Sequence, residues 1–279
     1  VDFLKYDLCS FREIMAQESG ADVKHAMNSA KAPPYSEIMG QEPPAVVKKA
    51  DGLIMSAYEK MHQDLLATGR PILFSLCQYG FARVWEWGPQ VGASMWRTSG
   101  DISDNYASIT ANGFGEAGLA RFAGPGHWND PDFLEVGNGK LTPDESRTNF
   151  SLWALLAAPL IAGNDLTNMT PETKGILLDK EVIAIDQDSL GKQGDRSYQT
   201  GPLEVRSKPL SGGDLAVGLF NRTGSPAQIT LRLSSIGWHG LTDARDLWDH
   251  RDIGEIGDEY RPTVPGHGVV LLRLKRSRS

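Results

Sequence analysis

The sequence predicts an α/β domain over residues 1–194 followed by an antiparallel β-sandwich over residues 195–279, and three observations carry that prediction. Short apolar runs of buried-strand length alternate with segments of helical period about five times along the first part. Past Gln193 the apolar period changes to two and helical patterns disappear. Two of the early runs, Val1-Asp2-Phe3-Leu4-Lys5-Tyr6-Asp7 and Met95-Trp96-Arg97-Thr98-Ser99-Gly100-Asp101, end in a carboxylate with a cation close by. That is the arrangement expected where strands deliver reactive side chains to the mouth of an α/β barrel.

The elements follow in order. The first strand is read over Val1–Tyr6. Ser10–Ala50, with Pro33-Pro34 and Pro43-Pro44, reads as a long loop with room for one helical turn. A helix is expected from Leu53 to Ala67, because Ile54, Ala57, Tyr58, Met61 and Leu65 recur at helical spacing and Gly69 stands where a C-terminal cap belongs. Pro71–Leu76 and the Trp96 segment are buried strands. Another strand end is placed near Phe133–Val136, after the loop Ala123–Asp132. Thr142-Pro143-Asp144-Glu145 starts a helix with a capping box and a proline at its first position. Pro159–Gly163 reads as a short buried strand and Thr170-Pro171-Glu172 as a second helix start. In the sandwich, strands are expected at Leu203–Arg206, Leu215–Phe220, Ala227–Leu233 and Val269–Leu274, and Lys275–Ser279 as a solvated tail.

The chain has 279 residues, enough for one large core and a small second domain. With 28 basic and 35 acidic residues its net charge is −7, which disfavours nucleic acid or an anionic membrane as partner and suits a neutral polar substrate. No apolar run approaches transmembrane length, and the valine start inside a strand is read as an internal beginning. The six histidines show no metal-ligand spacing, so neither a metal nor a cofactor is expected. Two cysteines, Cys9 and Cys77, permit at most one bridge.

Two carboxylates delivered at strand ends point to glycoside cleavage, which needs one ionised carboxylate and one protonated carboxylic acid on either side of the scissile bond. Asp7 is the candidate for the first role. Lys5, two residues earlier on the same face of the strand, is suited to keeping it ionised. Asp101 is the candidate acid/base, and Arg97, four residues ahead, can offer a forked donor to a sugar hydroxyl.

Lys5-Tyr6-Asp7-Leu8-Cys9, Phe74-Ser75-Leu76-Cys77, Trp96–Asp101, Ala123–Asp132 and Asn164–Gly194, in that order along the chain, resemble glycoside hydrolase family 27, the α-galactosidase or melibiase family. The resemblance implies a (β/α)8 TIM barrel, of which only the later strand-helix units are represented here, and an antiparallel β-domain after it. It implies Asp7 as nucleophile, Asp101 as acid/base, and Lys5, Cys77, Tyr79, Arg97 and Asp132 as substrate-binding residues. The activity it implies is retaining, exo-acting release of terminal α-D-galactose from a galactoside or oligosaccharide, with the two carboxyl groups roughly 5 to 6 Å apart. Export to a secreted or periplasmic location is implied by family habit.

Several departures bear on that expectation. The first three strand-helix units of the family barrel have no counterpart, so the chain reads as a fragment. Cys9 matches a cysteine whose disulfide partner lies in that part, and Ala93 stands where animal relatives have the cysteine that pairs with the counterpart of Cys77. Tyr79 stands where the family usually has tryptophan and Phe133 where many members have methionine. Bulky Gln78 and Phe81 favour galactose over N-acetylgalactosamine. The alternatives are a β-L-arabinopyranosidase or α-N-acetylgalactosaminidase of the same family, or a truncated, non-catalytic sugar-binding chain.

Overall fold

The computed structural model describes residues 2–9, 11–20 and 42–277, which form two compact units. Val1, most of the expected loop Ser10–Ala50, and the last two residues of the tail lie outside the described residues. One unit runs up to Asp101 and includes Gly126–Asp130; the other comprises Ile102–Pro125 and the chain from Pro131 onward.

The first unit is built on a four-stranded parallel sheet, in the order β1 (Phe3–Asp7), β2 (Leu73–Cys77), β3 (Met95–Arg97) and β4 (Trp128–Asp130). Strands 1 to 3 fall where the apolar runs predict them, within a residue or two. β4 lies inside the segment read as a loop, earlier than the strand end expected at Phe133–Val136. Its residues are too polar to read as a buried strand, and pairing with Met95–Arg97 fixes it instead.

The sheet is flanked by α1 (Phe11–Ser19) and α2 (Pro44–Ala67). Both correct the expected loop. Proline at the first helical position needs no amide partner and fixes a helical φ, so Pro44 starts a helix rather than breaking one. α2 therefore begins nine residues before the expected Leu53 and ends at Ala67, with Gly69 left-handed just beyond it. Its buried face, Ala50, Ile54 and Tyr58, joins Phe74, Leu76 and Trp96 in one core. Tyr58 meets the Tyr6 ring edge-on at 5.5 Å.

The second unit opens with α3 (Tyr106–Gly115), capped by Asn105, whose side chain accepts from the Ser108 amide. α4 (Pro143–Leu156) carries both halves of the expected capping box: Glu145 N–H donates to Thr142 and Thr142 N–H to Glu145. α5 (Pro171–Leu177) is capped by Thr170 as expected, and α6 (Lys180–Asp186) by Asp179. The expected buried strand Pro159–Gly163 is reduced to a single parallel bridge, Ala162 to Leu134, and its residues are half-buried or exposed. With one bridge and no flanking ladder among the described residues, the apolar run has nothing to propagate along.

The all-β part is a six-stranded antiparallel sheet with two further strand pairs. It begins with the edge strand β5 (Asp195–Thr200), beside which lie β6 (Leu203–Pro209) and β7 (Leu215–Asn221), paired in register from Leu203 with Asn221 to Pro209 with Leu215. The last strand runs Val269–Arg276, so Lys275 and Arg276 are not a frayed tail; they pair with Asp243 and Thr242. β6 buries both faces. Val205 enters the sandwich core, while Glu204, Arg206 and Lys208 point the other way and are equally buried.

Candidate active site

The register of the parallel sheet decides which side chains can meet. Lys5 lies opposite Ser75, Asp7 opposite Cys77, Ser75 opposite Met95, and Arg97 opposite Asp130. Paired residues share a face and neighbours along a strand alternate. Lys5, Asp7, Cys77 and Arg97 therefore all stand on one face. Leu4, Tyr6, Phe74, Leu76 and Trp96 occupy the other, where they and α2 form the core.

Asp7 ends β1 half-buried. Its Oδ1 accepts the Tyr79 hydroxyl at 2.9 Å and the Cys9 amide at 3.2 Å. Burial works to raise its pKa, but the Tyr79 hydroxyl, the Cys9 amide and the Cys77 thiol together outweigh it and hold the carboxyl below its ordinary value. The largest lowering causes are thus hydrogen bonds to the carboxylate. Lys5 also bears on Cys77. Burial pushes that thiol up to about 12 against the pull of Arg97 and Lys5, so it remains a protonated donor. Cys9 and Cys77 are both free thiols, Cys9 exposed and Cys77 buried.

The segment after β2 is bent sharply. Tyr79 has φ +60° and Gly80 φ +81°, and the Gly80 amide donates to the Arg97 carbonyl at 3.0 Å. A Cβ at Gly80 would lie 2.3 Å from the Thr98 carbonyl oxygen, so only glycine allows this approach. The bend directs the Tyr79 ring back to β1, where its hydroxyl reaches Asp7. Burial and the Asp7 hydrogen bond push the phenol up, and Asp101 contributes in the same direction.

Arg97 is fully buried. Its Nη2 donates to the carbonyls of Gly100 at 2.6 Å and Ser99 at 3.2 Å, and to Asp101 Oδ1 at 3.2 Å. Nη1 lies 3.9 Å from the Cys77 sulfur, and the guanidinium carbon is 5.7 Å from the Tyr79 ring centroid. The fork expected for a sugar hydroxyl thus has one arm occupied by the protein, where it shapes the 99–101 loop. Asp101, at the end of that loop, has 74% of its side chain exposed.

Six of the seven predicted residues, Lys5, Asp7, Cys77, Tyr79, Arg97 and Asp101, are therefore in the first unit. Asp132 belongs to the second. There it is buried with φ +85°, its Oδ2 accepts the Ile102 amide at 2.9 Å, and its carbonyl accepts the Trp153 indole at 2.7 Å. Sequence reasoning missed the Cys9 amide and the Gly80 contact. Gly80 carried a signal, being a glycine one residue past a pocket position; a backbone donor carries none. Among the described residues no group of three His, Cys, Asp or Glu could hold a metal ion, and no helix is long and apolar enough to cross a membrane.

Residues 45–188 match the family profile described as "Alpha galactosidase A", and residues 200–274 that of the "Alpha galactosidase C-terminal beta sandwich domain". The chain is 44% identical over 223 residues to an alpha-galactosidase of Cyamopsis tetragonoloba, covering 79% of this chain and 54% of that one. It thus spans about half the length of the curated relatives it matches. Among solved structures, alpha-galactosidase I from Mortierella vinacea superposes with a TM-score of 0.80 at 30% identity, covering 99% of this chain and 68% of that one. An alpha-galactosidase from Saccharomyces cerevisiae, solved with raffinose, gives 0.76 at 26% identity over 81% and 69% of the two chains. Those neighbours are TIM barrels with a C-terminal β-sandwich, the architecture to which the parallel sheet and the antiparallel domain correspond. With one profile running across more than half of its length and the matching sandwich profile behind it, this chain belongs to the alpha-galactosidase A (melibiase) family, glycoside hydrolase family 27.

Proposed function

We propose that this chain carries the catalytic carboxylates of a retaining exo-α-galactosidase acting on terminal α-D-galactosyl groups, with residues 1–194 as the catalytic part and 195–279 as the sandwich. The observation that carries the reading is Asp7: a strand-end carboxylate held ionised by hydrogen bonds, in the same unit as a second, exposed aspartate side chain, Asp101.

In the first step Asp7 attacks the anomeric carbon and the glycosidic C–O bond breaks as Asp101 gives its proton to the leaving oxygen. In the second, Asp101 takes a proton from water, whose oxygen attacks the same carbon and displaces Asp7. Two inversions give net retention. Lys5, Cys77 and Arg97 of the first unit are proposed to bind the sugar. Raffinose with a yeast relative supports a galactoside as substrate, and a secreted or periplasmic location is proposed on the family resemblance alone.

The test is hydrolysis of p-nitrophenyl α-D-galactopyranoside by the chain and by Asp7→Ala, with the p-nitrophenyl β-L-arabinopyranoside alongside. Preferred turnover of the galactoside, with α-galactose as the first anomer seen by NMR and none with Asp7→Ala, supports the reading. β-Galactose as the first product, or full activity in Asp7→Ala, overturns it.

A further inference from the structure

Tyr79 was expected to line the sugar pocket, yet its one hydroxyl proton is committed elsewhere. A phenol has a single donor, and here it points at Asp7 Oδ1 from 2.9 Å. The same oxygen also receives the Cys9 amide at 3.2 Å. Two donors converging on one carboxylate oxygen fix the rotation of the group. We propose that Tyr79 is a positioning residue for the nucleophile rather than a sugar contact: it holds Oδ1 as the idle oxygen, so that Oδ2 attacks, and it stabilises the carboxylate each time the glycosyl ester is cleaved. This rests on the assignment of Asp7 as nucleophile.

Three features support it. The left-handed backbone at Tyr79 is an unfavourable conformation for a residue with a side chain, retained where the surrounding structure demands it. Here the demand comes from the Gly80 contact with β3, and its effect is to turn the ring toward β1. The ring is braced by the Phe81 edge at 6.2 Å and by the Arg97 guanidinium. Finally, burial and the neighbouring carboxylates keep the phenol protonated, so it stays a donor wherever Asp7 is ionised.

The chemistry has two sides. In the free enzyme the hydrogen bond is charge-assisted and favours ionised Asp7. In the glycosyl-enzyme Asp7 is an ester and Oδ1 a neutral carbonyl oxygen, so the bond weakens. It strengthens again as the ester C–O bond breaks and the electron pair returns to the carboxylate. Tyr79 therefore makes Asp7 a better leaving group in the second step.

The experiment uses Tyr79→Phe, which removes one oxygen and keeps the ring. Asp7 is titrated by carboxyl 13C NMR in aspartate-labelled chain, assigned with Asp7→Asn, and the pH profile of kcat/KM is measured in parallel. Expected are an upward shift of the Asp7 titration and of the acid limb by about one pH unit. Expected too is a roughly tenfold fall in deglycosylation with an activated galactoside, seen as a burst, with the KM not raised. An unmoved titration overturns the proposal. So does a several-fold rise in KM with kcat and the acid limb unchanged, the signature of a lost sugar contact. A shifted titration with no hydrolysis by the unsubstituted chain overturns the galactosidase reading instead, and the hydrogen-bond coupling stands without it. If Tyr79→Phe lacks the far-UV spectrum of the parent, Tyr79→Trp serves, with the same titration outcome required.

Discussion

Glu204 offers the sharpest test of what holds the second unit together. Its side chain is wholly buried, with Oε1 at 2.6 Å from Arg206 Nε, itself wholly buried, and Oε2 at 3.5 Å from the partly exposed Arg222. Arg206 also donates to the Phe114 carbonyl at 2.9 Å, and both guanidinium groups lie over the Phe114 ring. Replacing Glu204 by leucine leaves a buried guanidinium with one neutral acceptor and no counter-charge. Breaking a buried pair by removing one partner costs about 3 to 5 kcal/mol. With a urea slope of roughly 3 kcal/mol/M, taken from the upper part of the usual range, the unfolding midpoint should fall by about 1 to 1.7 M. Arg206→Met should cost a similar amount, and the double variant far less than the sum, because it removes both charges together. Circular dichroism through urea titrations of the four proteins reads this directly. A midpoint shift under about 0.3 M for Glu204→Leu, or an additive cycle, would refute the claim that the pair is mutually dependent.

Two more outcomes are expected. Burial pushes the Asp186 carboxyl up to about 7, against the pull of Lys208, whose ammonium donates to the carbonyls of Ala154 and Asp186 rather than to the carboxylate. A carboxyl raised on folding contributes stability that is complete below its unfolded value near 3.8 and is lost as pH rises through 7. Asp186→Asn should therefore flatten the stability profile between pH 4 and 7, as followed by thermal unfolding at several pH values, and an unchanged slope would count against it. Arg97→Lys replaces a planar donor that reaches Gly100, Ser99 and Asp101 with a single ammonium. The loop carrying Asp101 loses its anchor, and kcat/KM should fall on the order of 10²-fold with little change in the urea midpoint; activity within a factor of three of the parent would show that the loop holds its own shape.

Local signals were readable where the physics is local. The Thr142-Pro143-Asp144-Glu145 cap is complete within four residues, and the structure contains both of its reciprocal bonds. The apolar runs of β2 and β7 were equally plain. What escaped depended on partners distant in sequence. β4 is polar and exists through its ladder with β3. Glu204, Arg206 and Lys208 alternate with apolar residues and so resemble a solvent-facing strand edge, yet carbonyls of α3 and α4 accept from Arg206 and Lys208, and Arg206 and Arg222 donate to Glu204, so that all three are buried. At the site, the positions of Asp7, Arg97 and Asp101 were legible as strand-end motifs. The group that governs Asp7 was not, because Tyr79 is 72 residues away and reaches it only through a left-handed bend.

The shared register of β1 to β3 also constrains how this face can change over time. Because side chains alternate, parity is the property that separates Lys5 and Asp7 from Leu4 and Tyr6. An insertion of one residue within β1 would exchange the two sets, driving a lysine and an aspartate into the aromatic cluster around Tyr58 and leaving apolar groups on the reactive side. A change of two residues would preserve parity while moving Asp7 by roughly 7 Å along the strand, away from Cys77 and Tyr79. Neither step is tolerable, so length variation is confined to the connections between strands, while the reactive face can vary only by substitution at fixed positions. Each such position is separated from the α2-covered core by the thickness of the sheet. A new side chain there alters the chemistry of that face without disturbing the packing beneath.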